Sequence, residues 1–367
     1  MVMFNDAYEG KKVVVTGHTG FKGTWLTRWL TLLGAEVMGI SDGIPTNPSM
    51  FEILGLEYTI HNRIMDIRQA EPISKALLEF QPDYVFHLAA QAIVSTSYSD
   101  PLGTISTNVI GTANVLDAIR QLPGACTAVI ITSDKCYENV EWEWGYRETD
   151  HLGGKDIYSA SKGAAEIIFH AYFNSFLKHR PEIRIASARA GNVIGGGDWA
   201  KDRIIVDSVL SWSNRQPVQI RSPEATRPWQ HVLEPLSGYL WLGASLATNA
   251  RLNGESFNFG PRAEQSRRVV DLISDLFEYW QQDFNCYQIT GNVPFHEAGL
   301  LKLNCDKALF YLKWEPTLFY DECVRMVGEW YAGFYMQKQN VRELTQKQIE
   351  LYMHLAKERG SRWILSN

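Results

Sequence analysis

The chain has 367 residues, of which 45% are hydrophobic, enough to bury one large core or two modest ones. Its 35 basic and 41 acidic residues give a net charge of -6, which argues against a nucleic-acid-binding surface. Five scattered cysteines form no CxxC pair and no metal-ligand spacing, as in reduced cytosolic proteins. The first residues lack the apolar segment of a signal peptide, and no apolar run approaches the ~18 residues of a membrane span. We therefore expect a cytoplasmic protein that binds no metal, nucleic acid or membrane.

The first half of the chain has the pattern of a parallel β-sheet. Apolar runs rich in β-branched residues alternate with amphipathic helical segments, and the runs cover residues 12–16, 36–40, 83–89, 128–132 and 183–189. Strands that read as continuous apolar runs are typical of a sheet that is covered by helices on both faces. The pattern predicts an α/β fold with a doubly wound parallel sheet.

A glycine-rich loop, TGHTGFKG at residues 16–23, lies between the first strand and the first helix. Gly17 permits a tight turn, Gly20 lets the backbone approach a pyrophosphate, and Gly23 allows the helix to pack closely on the strand. The loop indicates a dinucleotide-binding domain of the Rossmann type. Its alternative interpretation is a plain βα turn.

The end of the second strand bears on the choice of dinucleotide. Ser41 and Asp42 stand there, and no arginine follows to meet a 2′-phosphate. This favours NAD over NADP. The alternative is that Asp42 is only a turn residue. Tighter binding of NADP than of NAD would support an NADP-dependent protein.

Three polar residues follow the strand at 128–132. Ser133, Asp134 and Lys135 offer a hydroxyl, an acid and a base in consecutive positions. Ligands of parallel α/β sheets bind at this end of the strands. A solvated turn is the alternative interpretation.

Tyr158 and Lys162 begin the next predicted helix, and their spacing of four places both side chains on one helical face. A nearby ammonium group stabilises a phenolate, so we expect Lys162 to lower the pKa of Tyr158. Such pairs also occur on surface helices. The combination with the glycine loop makes a catalytic role the stronger interpretation.

After residue 190 the alternation of strands and helices becomes less regular. We predict a dinucleotide-binding domain at residues 1–190, which a helix and strand at about 228–260 rejoin. Residues 191–340 are then an interrupted, smaller α/β substrate domain, and residues 341–367 are a helical tail.

The motifs TGHTGFKG, HLAAQ (87–91), STNVIGTANVLDA (106–118), TSDKCY (132–137) and YSASK (158–162), in this order, resemble the extended short-chain dehydrogenase/reductase family to about residue 335. The resemblance implies that Tyr158 takes a proton from a sugar hydroxyl during hydride transfer and that Lys162 binds the nicotinamide ribose. The NAD-binding positions that it implies are Gly17, Thr19, Gly20, Phe21, Lys22, Gly23, Ser41, Asp66, Ile67, Ala89, Ala90, Gln91, Asn108, Tyr158 and Lys162.

The TSDKCY segment, GYRE (145–148), RAGNVIGGGDWAKDR (189–203) and RPWQHVLEPLSGY (227–239) are similar to the nucleotide-sugar 4,6-dehydratase branch of that family. Related enzymes for dTDP-glucose carry an acid where Lys135 stands, so the resemblance is to the branch that acts on CDP-glucose. It implies oxidation at C4, loss of water across C5 and C6, and return of the hydride to C6, within deoxysugar biosynthesis for a surface polysaccharide.

The same resemblance gives roles to the three residues after the strand. Ser133 hydrogen-bonds the reacting oxygen, Asp134 protonates the departing hydroxyl, and Lys135 removes the C5 proton or polarises the ketone. One acid and one base suffice for such an elimination. A neighbouring aspartate favours the charged form of a lysine, which conflicts with the role of a base.

Substrate-binding positions are implied in the later segments, namely Arg189, Asn192, Arg203, Arg227, His231 and His296. Arginine suits bidentate binding of phosphate, although any single arginine is about as often part of a structural ion pair. Trp199 and Trp229 either stack on the substrate or pack in the core, and we favour packing for Trp229.

A homodimer is predicted from the helix at 158–178. Its apolar residues surround more of the helix than one sheet face can bury, and members of the resembling family dimerise through this helix.

Three other functions remain open at this stage. One is a nucleotide-sugar 4-epimerase or decarboxylase of the same family, another is a dehydratase acting on a different nucleoside-diphosphate glucose, and the third is a non-catalytic NAD-sensing regulator. Loss of water from the substrate excludes the epimerase and the decarboxylase, and any turnover excludes the regulator.

Overall fold

The computed structural model describes residues 2–290 and 300–364. Its strands are β1 (Lys12–Thr16), β2 (Glu36–Ser41), β3 (His61–Ile64), β4 (Tyr84–His87), β5 (Cys126–Ile131), β6 (Ile183–Arg189), β7 (Val193–Ile194), β8 (Val218–Ile220), β9 (Thr226–Pro228), β10 (Gln230–His231), β11 (Ser256–Asn258), β12 (Ser266–Arg268) and β13 (Tyr287–Ile289).

The α-helices alternate with these strands in the first half and dominate the second. They are α1 (Phe21–Leu32), α2 (Met50–Ile53), α3 (Ala70–Phe80), α4 (Val94–Ser99), α5 (Pro101–Ile105), α6 (Thr112–Arg120), α7 (Ile157–Ser175), α8 (Ile204–Ser213), α9 (Leu233–Thr248), α10 (Val269–Phe277), α11 (Asp306–Leu312), α12 (Tyr320–Tyr335) and α13 (Val341–Glu358).

Seven strands form one parallel sheet in the order β11-β6-β5-β4-β1-β2-β3. Separate clusters of buried apolar side chains cover its two faces, one beneath α1 and α9 and the other beneath α3, α6 and α7. The predicted doubly wound fold is confirmed. Strand order reverses between β1 and β4, and the carboxyl ends there are where such sheets bind ligands.

The second half of the chain returns to this sheet. Helix α9 contacts β5 and β6, and β11 adds a seventh strand beside β6. The intervening segments form three two-stranded sheets, β7 with β10, β8 with β13 and β9 with β12. The division into two domains at residue 190 stays a prediction.

The C-terminal helix α13 packs against the rest of the protein. Ile349, Tyr352 and Ala356 on this helix are fully buried. Beyond it, the Trp363 ring stacks on Phe4 with centroids 4.9 Å apart and on Tyr352 at 5.8 Å. The segment predicted as a tail therefore closes over the chain's first residues. No helix of the described chain is long and apolar enough to cross a membrane.

Candidate active site

A cavity of about 1120 Å³ opens at the carboxyl ends of β1, β4 and β5. Its walls bring together the glycine loop, the residues after β5 and the first turns of α7. The predicted site residues that line it are Gly17, Thr19, Gly20, Phe21, Lys22, Gly23, Ser41, Asp66, Ile67, Ala89, Ala90, Gln91, Ser133, Asp134, Lys135, Tyr158, Lys162, Asn192 and Arg203.

The glycine loop has the geometry that its spacing predicts. Gly17 has a φ of +77°, and a Cβ there would lie 2.7 Å from the Ala89 nitrogen. A Cβ at Gly23 would lie 2.0 Å from the Gly17 oxygen, so the helix packs on bare backbone. Gly20 precedes the first turn of α1 and faces the cavity. The loop thus offers main-chain N–H groups at a helix N-terminus, which suits a pyrophosphate.

Lys22, in the first turn of α1, adds a cation to the same wall of the cavity. Burial lowers its pKa to about 8, helped by the charge of Arg203 and opposed by that of Asp134. A diphosphate in this cavity would therefore meet both backbone donors and an ammonium group.

Ser41 at the end of β2 and Asp66 after β3 also line the cavity. The Ser41 hydroxyl accepts a bond from the Thr19 nitrogen at 3.4 Å. The Asp66 carboxylate accepts bonds from the Arg68 nitrogen and Nε, both at 2.8 Å. The Arg68 side chain is the main cause that keeps the pKa of Asp66 below its usual value.

Asn108 differs from its predicted place. It is buried behind the wall and is not among the residues that line the cavity. Its Oδ1 accepts from the Gln91 nitrogen at 2.8 Å, and its Nδ2 donates to the Gln91 oxygen at 3.0 Å and to Ser161 Oγ at 2.8 Å. Asn108 therefore fixes the wall formed by Gln91 from behind.

The residues after β5 form a tight turn at the centre of the cavity. Ser133 caps the turn at Asp134–Cys136, and its Oγ accepts from the Lys135 nitrogen at 3.2 Å. The same hydroxyl donates to Asp134 Oδ1 at 2.9 Å. Asp134 is buried and Lys135 is half-buried. The turn is therefore no solvated surface loop.

Tyr158 and Lys162 lie on the face of α7 that borders the cavity, with the Lys162 Nζ 5.9 Å from the Tyr158 ring centre. Burial raises the pKa of Tyr158 to about 12, and a hydrogen bond with Ser133 opposes the shift. Burial also lowers the pKa of Lys162 to about 8. Burial thus opposes the expected lowering of the Tyr158 pKa, because desolvation is the largest cause of the shift.

Arg189 was predicted to bind substrate, but the structure places it inside the protein. The side chain is fully buried at the end of β6 and is not among the residues that line the cavity. Its Nη2 lies 2.7 Å from Glu166 Oε2, and its Nη1 donates to the Tyr137 hydroxyl at 2.7 Å. The guanidinium group is thus engaged inside the protein and unavailable to a phosphate.

His231 also differs from its predicted role. It is fully buried on β10, where its Nδ1 accepts from the Leu233 nitrogen at 3.3 Å and its ring meets Trp25 edge-on at 5.8 Å. Burial lowers its pKa to about 3. His231 is therefore a neutral core residue that does not belong to the cavity lining.

The other predicted substrate residues divide into three cases. Asn192 and Arg203 line the cavity, and Arg203 lies 3.1 Å from Asp198 Oδ2. Arg227 lies on β9, outside the cavity lining, with its Nη1 bonded to the Thr226 oxygen at 2.9 Å. His296 falls outside the described residues.

The two tryptophans follow the packing interpretation in large part. Trp229 is buried, as favoured from the sequence. Trp199 borders the cavity, but its Nε1 donates to the Tyr335 hydroxyl at 2.9 Å and its ring packs on Trp330.

Sequence reasoning missed Gly191 and Asp198. Both line the cavity, and a Cβ at Gly191 would lie 1.9 Å from Asp134 Oδ2. Their positions in the sequence could have indicated them, because Gly191 comes two residues after β6 and Asp198 lies in the GGGDW segment. Within residues 2–290 and 300–364, no cluster of His, Cys, Asp and Glu could hold a metal ion.

The doubly wound sheet, the glycine loop and the Tyr158–Lys162 pair define an extended short-chain dehydrogenase/reductase. A family model described as GDP-mannose 4,6 dehydratase matches residues 14–327, and the chain belongs to this family.

Two curated relatives agree with this assignment. The chain is 45% identical over 350 residues to CDP-glucose 4,6-dehydratase of Salmonella typhimurium, covering 94% of this chain and 97% of that protein. It is 25% identical over 336 residues to the probable dTDP-glucose 4,6-dehydratase of Sinorhizobium fredii, covering 87% and 92%.

Solved structures share the fold. The epimerase Mth375 of Methanothermobacter thermautotrophicus superposes with a TM-score of 0.77 at 23% identity, covering 93% of this chain and 96% of that one. The dTDP-glucose 4,6-dehydratase of Bacillus anthracis, in complex with NAD, gives 0.74 at 17% identity, covering 90% and 99%.

Proposed function

We propose that this chain is a hydro-lyase that converts CDP-D-glucose to CDP-4-dehydro-6-deoxy-D-glucose with bound NAD. The proposal is supported most directly by one cavity that is lined by the groups needed for two different reactions. Tyr158 and Lys162 serve oxidation at C4, while Asp134 and Lys135 serve elimination of water. The choice of CDP-glucose is supported by the 45% identity to the Salmonella enzyme.

The residues on the cavity wall fit NAD. Gly17 and Gly20 carry no side chain before α1, so a pyrophosphate can approach the backbone there, and Lys22 supplies a positive charge beside them. Asp66 would meet the adenosine end, and Lys162 the nicotinamide ribose. Bound NAD would supply the acceptor for the C4 hydride and the source of the hydride for C6, so that no net reduction would occur.

During oxidation, Tyr158 takes the proton of the C4 hydroxyl while Ser133 hydrogen-bonds the same oxygen. To take this proton Tyr158 must be a phenolate, and burial, which raises its pKa to about 12, opposes that form. The ammonium group of Lys162 is therefore needed to stabilise the phenolate before the proton is transferred to it.

During elimination, the new C4 ketone acidifies the C5 proton, which Lys135 removes. Asp134 gives a proton to the C6 hydroxyl, which departs as water and leaves a C5–C6 double bond. Hydride addition at C6 and protonation at C5 complete the reaction. The backbone of the turn at Asp134–Cys136 points both side chains into the cavity from adjacent positions.

Product mass tests the proposal. The purified protein and NAD are incubated separately with CDP-, dTDP- and UDP-glucose, and each product is weighed by mass spectrometry. We expect CDP-glucose to lose one water without accumulation of NADH. An isomer of unchanged mass would contradict the proposal and indicate an epimerase, and faster loss of water from another nucleotide sugar would correct the substrate.

We further propose a homodimer built on α7 and the neighbouring α5. These two helices contact each other, and both carry apolar side chains that are exposed in the single chain. Ile167 on α7 is 57% exposed, and Leu102 on α5 is 77% exposed. Contiguous exposed apolar side chains of this kind are typical of protein interfaces.

A further inference from the structure

A buried ion pair beneath the cavity has no part in the chemistry described above. Glu166 on α7 and Arg189 at the end of β6 lie 2.7 Å apart, and their side chains are 0% and 1% exposed. Charges buried to this degree cost several kcal/mol of desolvation, which only well-placed partners offset. The positions of those partners therefore indicate the role of the ion pair.

Glu166 bonds the residue before the Ser-Asp-Lys turn, which consists of Ser133, Asp134 and Lys135. Its Oε1 accepts from Thr132 Oγ1 at 2.5 Å, and Thr132 directly precedes Ser133. Glu166 also lies one helical turn beyond Lys162 on α7. The first end of the turn is thus bonded to the helix that carries Tyr158 and Lys162.

Arg189 holds the residue that leaves the turn. Its Nη1 donates to the Tyr137 hydroxyl at 2.7 Å, and its guanidinium group lies 5.0 Å from the Tyr137 ring centre. Tyr137 in turn donates to Asn258 Oδ1 on β11 at 2.8 Å. Both residues that flank the turn therefore bond to one ion pair.

We propose that Glu166 and Arg189 are positioning residues, which set the placement of Asp134 and Lys135 relative to Tyr158 and Lys162. The inference rests on the proposed function. A misplacement of ~1 Å in a catalytic group can cost about 10²-fold in rate. Elimination depends on the groups inside the turn, whereas the main groups of oxidation lie on α7. Loosening the turn should therefore slow elimination more than oxidation.

Tyr137→Phe tests this with little change of volume, since it removes only the hydroxyl that Arg189 bonds. Two rates are measured on the full chain with NAD. One is turnover of CDP-glucose, and the other is NADH formation from CDP-6-deoxyglucose, which can be oxidised at C4 but has no C6 hydroxyl to lose. We expect the first rate to fall ~10-fold and the second to change by less than ~2-fold.

Tyr8→Phe is the matched control. It also removes a buried hydroxyl, which donates to the Leu240 oxygen at 2.6 Å away from the cavity. It should lower the thermal midpoint without changing the ratio of the two rates. A purely structural role for Glu166 and Arg189 predicts that Tyr137→Phe behaves in the same way.

Thr132→Val probes the other end of the turn. Because both variants weaken one network, we expect their effects on the ratio of rates to be non-additive in the double variant. Equal loss of both rates in Tyr137→Phe and in Thr132→Val would overturn the inference while leaving the proposed function intact. A wild-type chain that removes no water from CDP-glucose would overturn both.

Discussion

Gly191 and Asp134 show how one missing side chain shapes the cavity. The Asp134 carboxylate occupies the space that a Cβ on Gly191 would fill, at 1.9 Å from Oδ2. A side chain at position 191 must therefore move the carboxyl group. The proposed proton donor would then be displaced from its position in the cavity.

Gly191→Ala is expected to lower kcat for CDP-glucose dehydration by about 10²-fold, because a displaced acid no longer reaches the C6 oxygen. Gly124→Ala is the control, since a Cβ there meets nothing within 4 Å. Steady-state kinetics on both variants check the expectation. Wild-type kcat in Gly191→Ala would contradict the role of Asp134 as the acid.

Lys135→Met separates the two half-reactions at a single residue. We expect dehydration of CDP-glucose to fall by at least ~10²-fold, the usual contribution of a general base. Oxidation of CDP-6-deoxyglucose should persist, because Tyr158 and Lys162 are untouched. Exposed Lys178→Met is the control. Loss of oxidation and dehydration together would instead assign Lys135 to substrate binding.

At the scale of elements, Glu234 joins three segments of the second half of the chain. It lies on α9, fully buried, and its Oε2 accepts from the Thr317 nitrogen and the Tyr352 hydroxyl, both at 2.9 Å. Its Oε1 accepts from the Leu318 nitrogen at 2.5 Å. The carboxyl group therefore links α9 to α13 and to the segment before α12.

Glu234 makes stability depend on pH. Burial raises its pKa from 4.5 to about 7, so the folded chain binds more protons than the unfolded chain between these values. The contribution of this group to the free energy of unfolding must therefore decrease as pH rises through that window.

Glu234→Gln removes this titration. The difference in free energy of unfolding between wild type and variant should be ~2.5 kcal/mol smaller at pH 8 than at pH 5. Urea unfolding of both proteins at the two pH values measures it. The same difference at both pH values would show that the carboxyl group titrates normally.

At the scale of the whole molecule, the apolar surface on α5 and α7 bears on assembly. Leu102→Glu places a charge at its most exposed apolar position. We expect light scattering to give twice the chain mass for wild type and a single chain mass for the variant, because burying an unpaired charge opposes association.

Phe310→Glu is the control for that experiment, since Phe310 is 68% exposed on α11, in another part of the chain. It should remain dimeric. A wild-type protein of single chain mass at working concentration would contradict the dimer.

Much of the fold was predictable from local pattern. The runs at 12–16 and 128–132 became β1 and β5 because strands buried on both faces need continuous apolar sequence. The prediction of a C-terminal helical tail did not include its packing against the rest of the protein. Helix α13 carries only a narrow apolar stripe among its polar residues. Trp363, which stacks on Tyr352, is covered by Phe4 from the other end of the chain.

The sequence by itself determined the sheet, the glycine loop and the alignment of Tyr158 with Lys162, because each follows from neighbours a few residues apart. The tertiary structure alone decided that Arg189 and His231 are buried and that Glu166 accepts a hydrogen bond from Thr132, just before Ser133. It also set the burial that opposes the pKa shift expected for Tyr158. Burial and ion pairing depend on residues far away in the chain, and no spacing in the sequence encodes which of them meet.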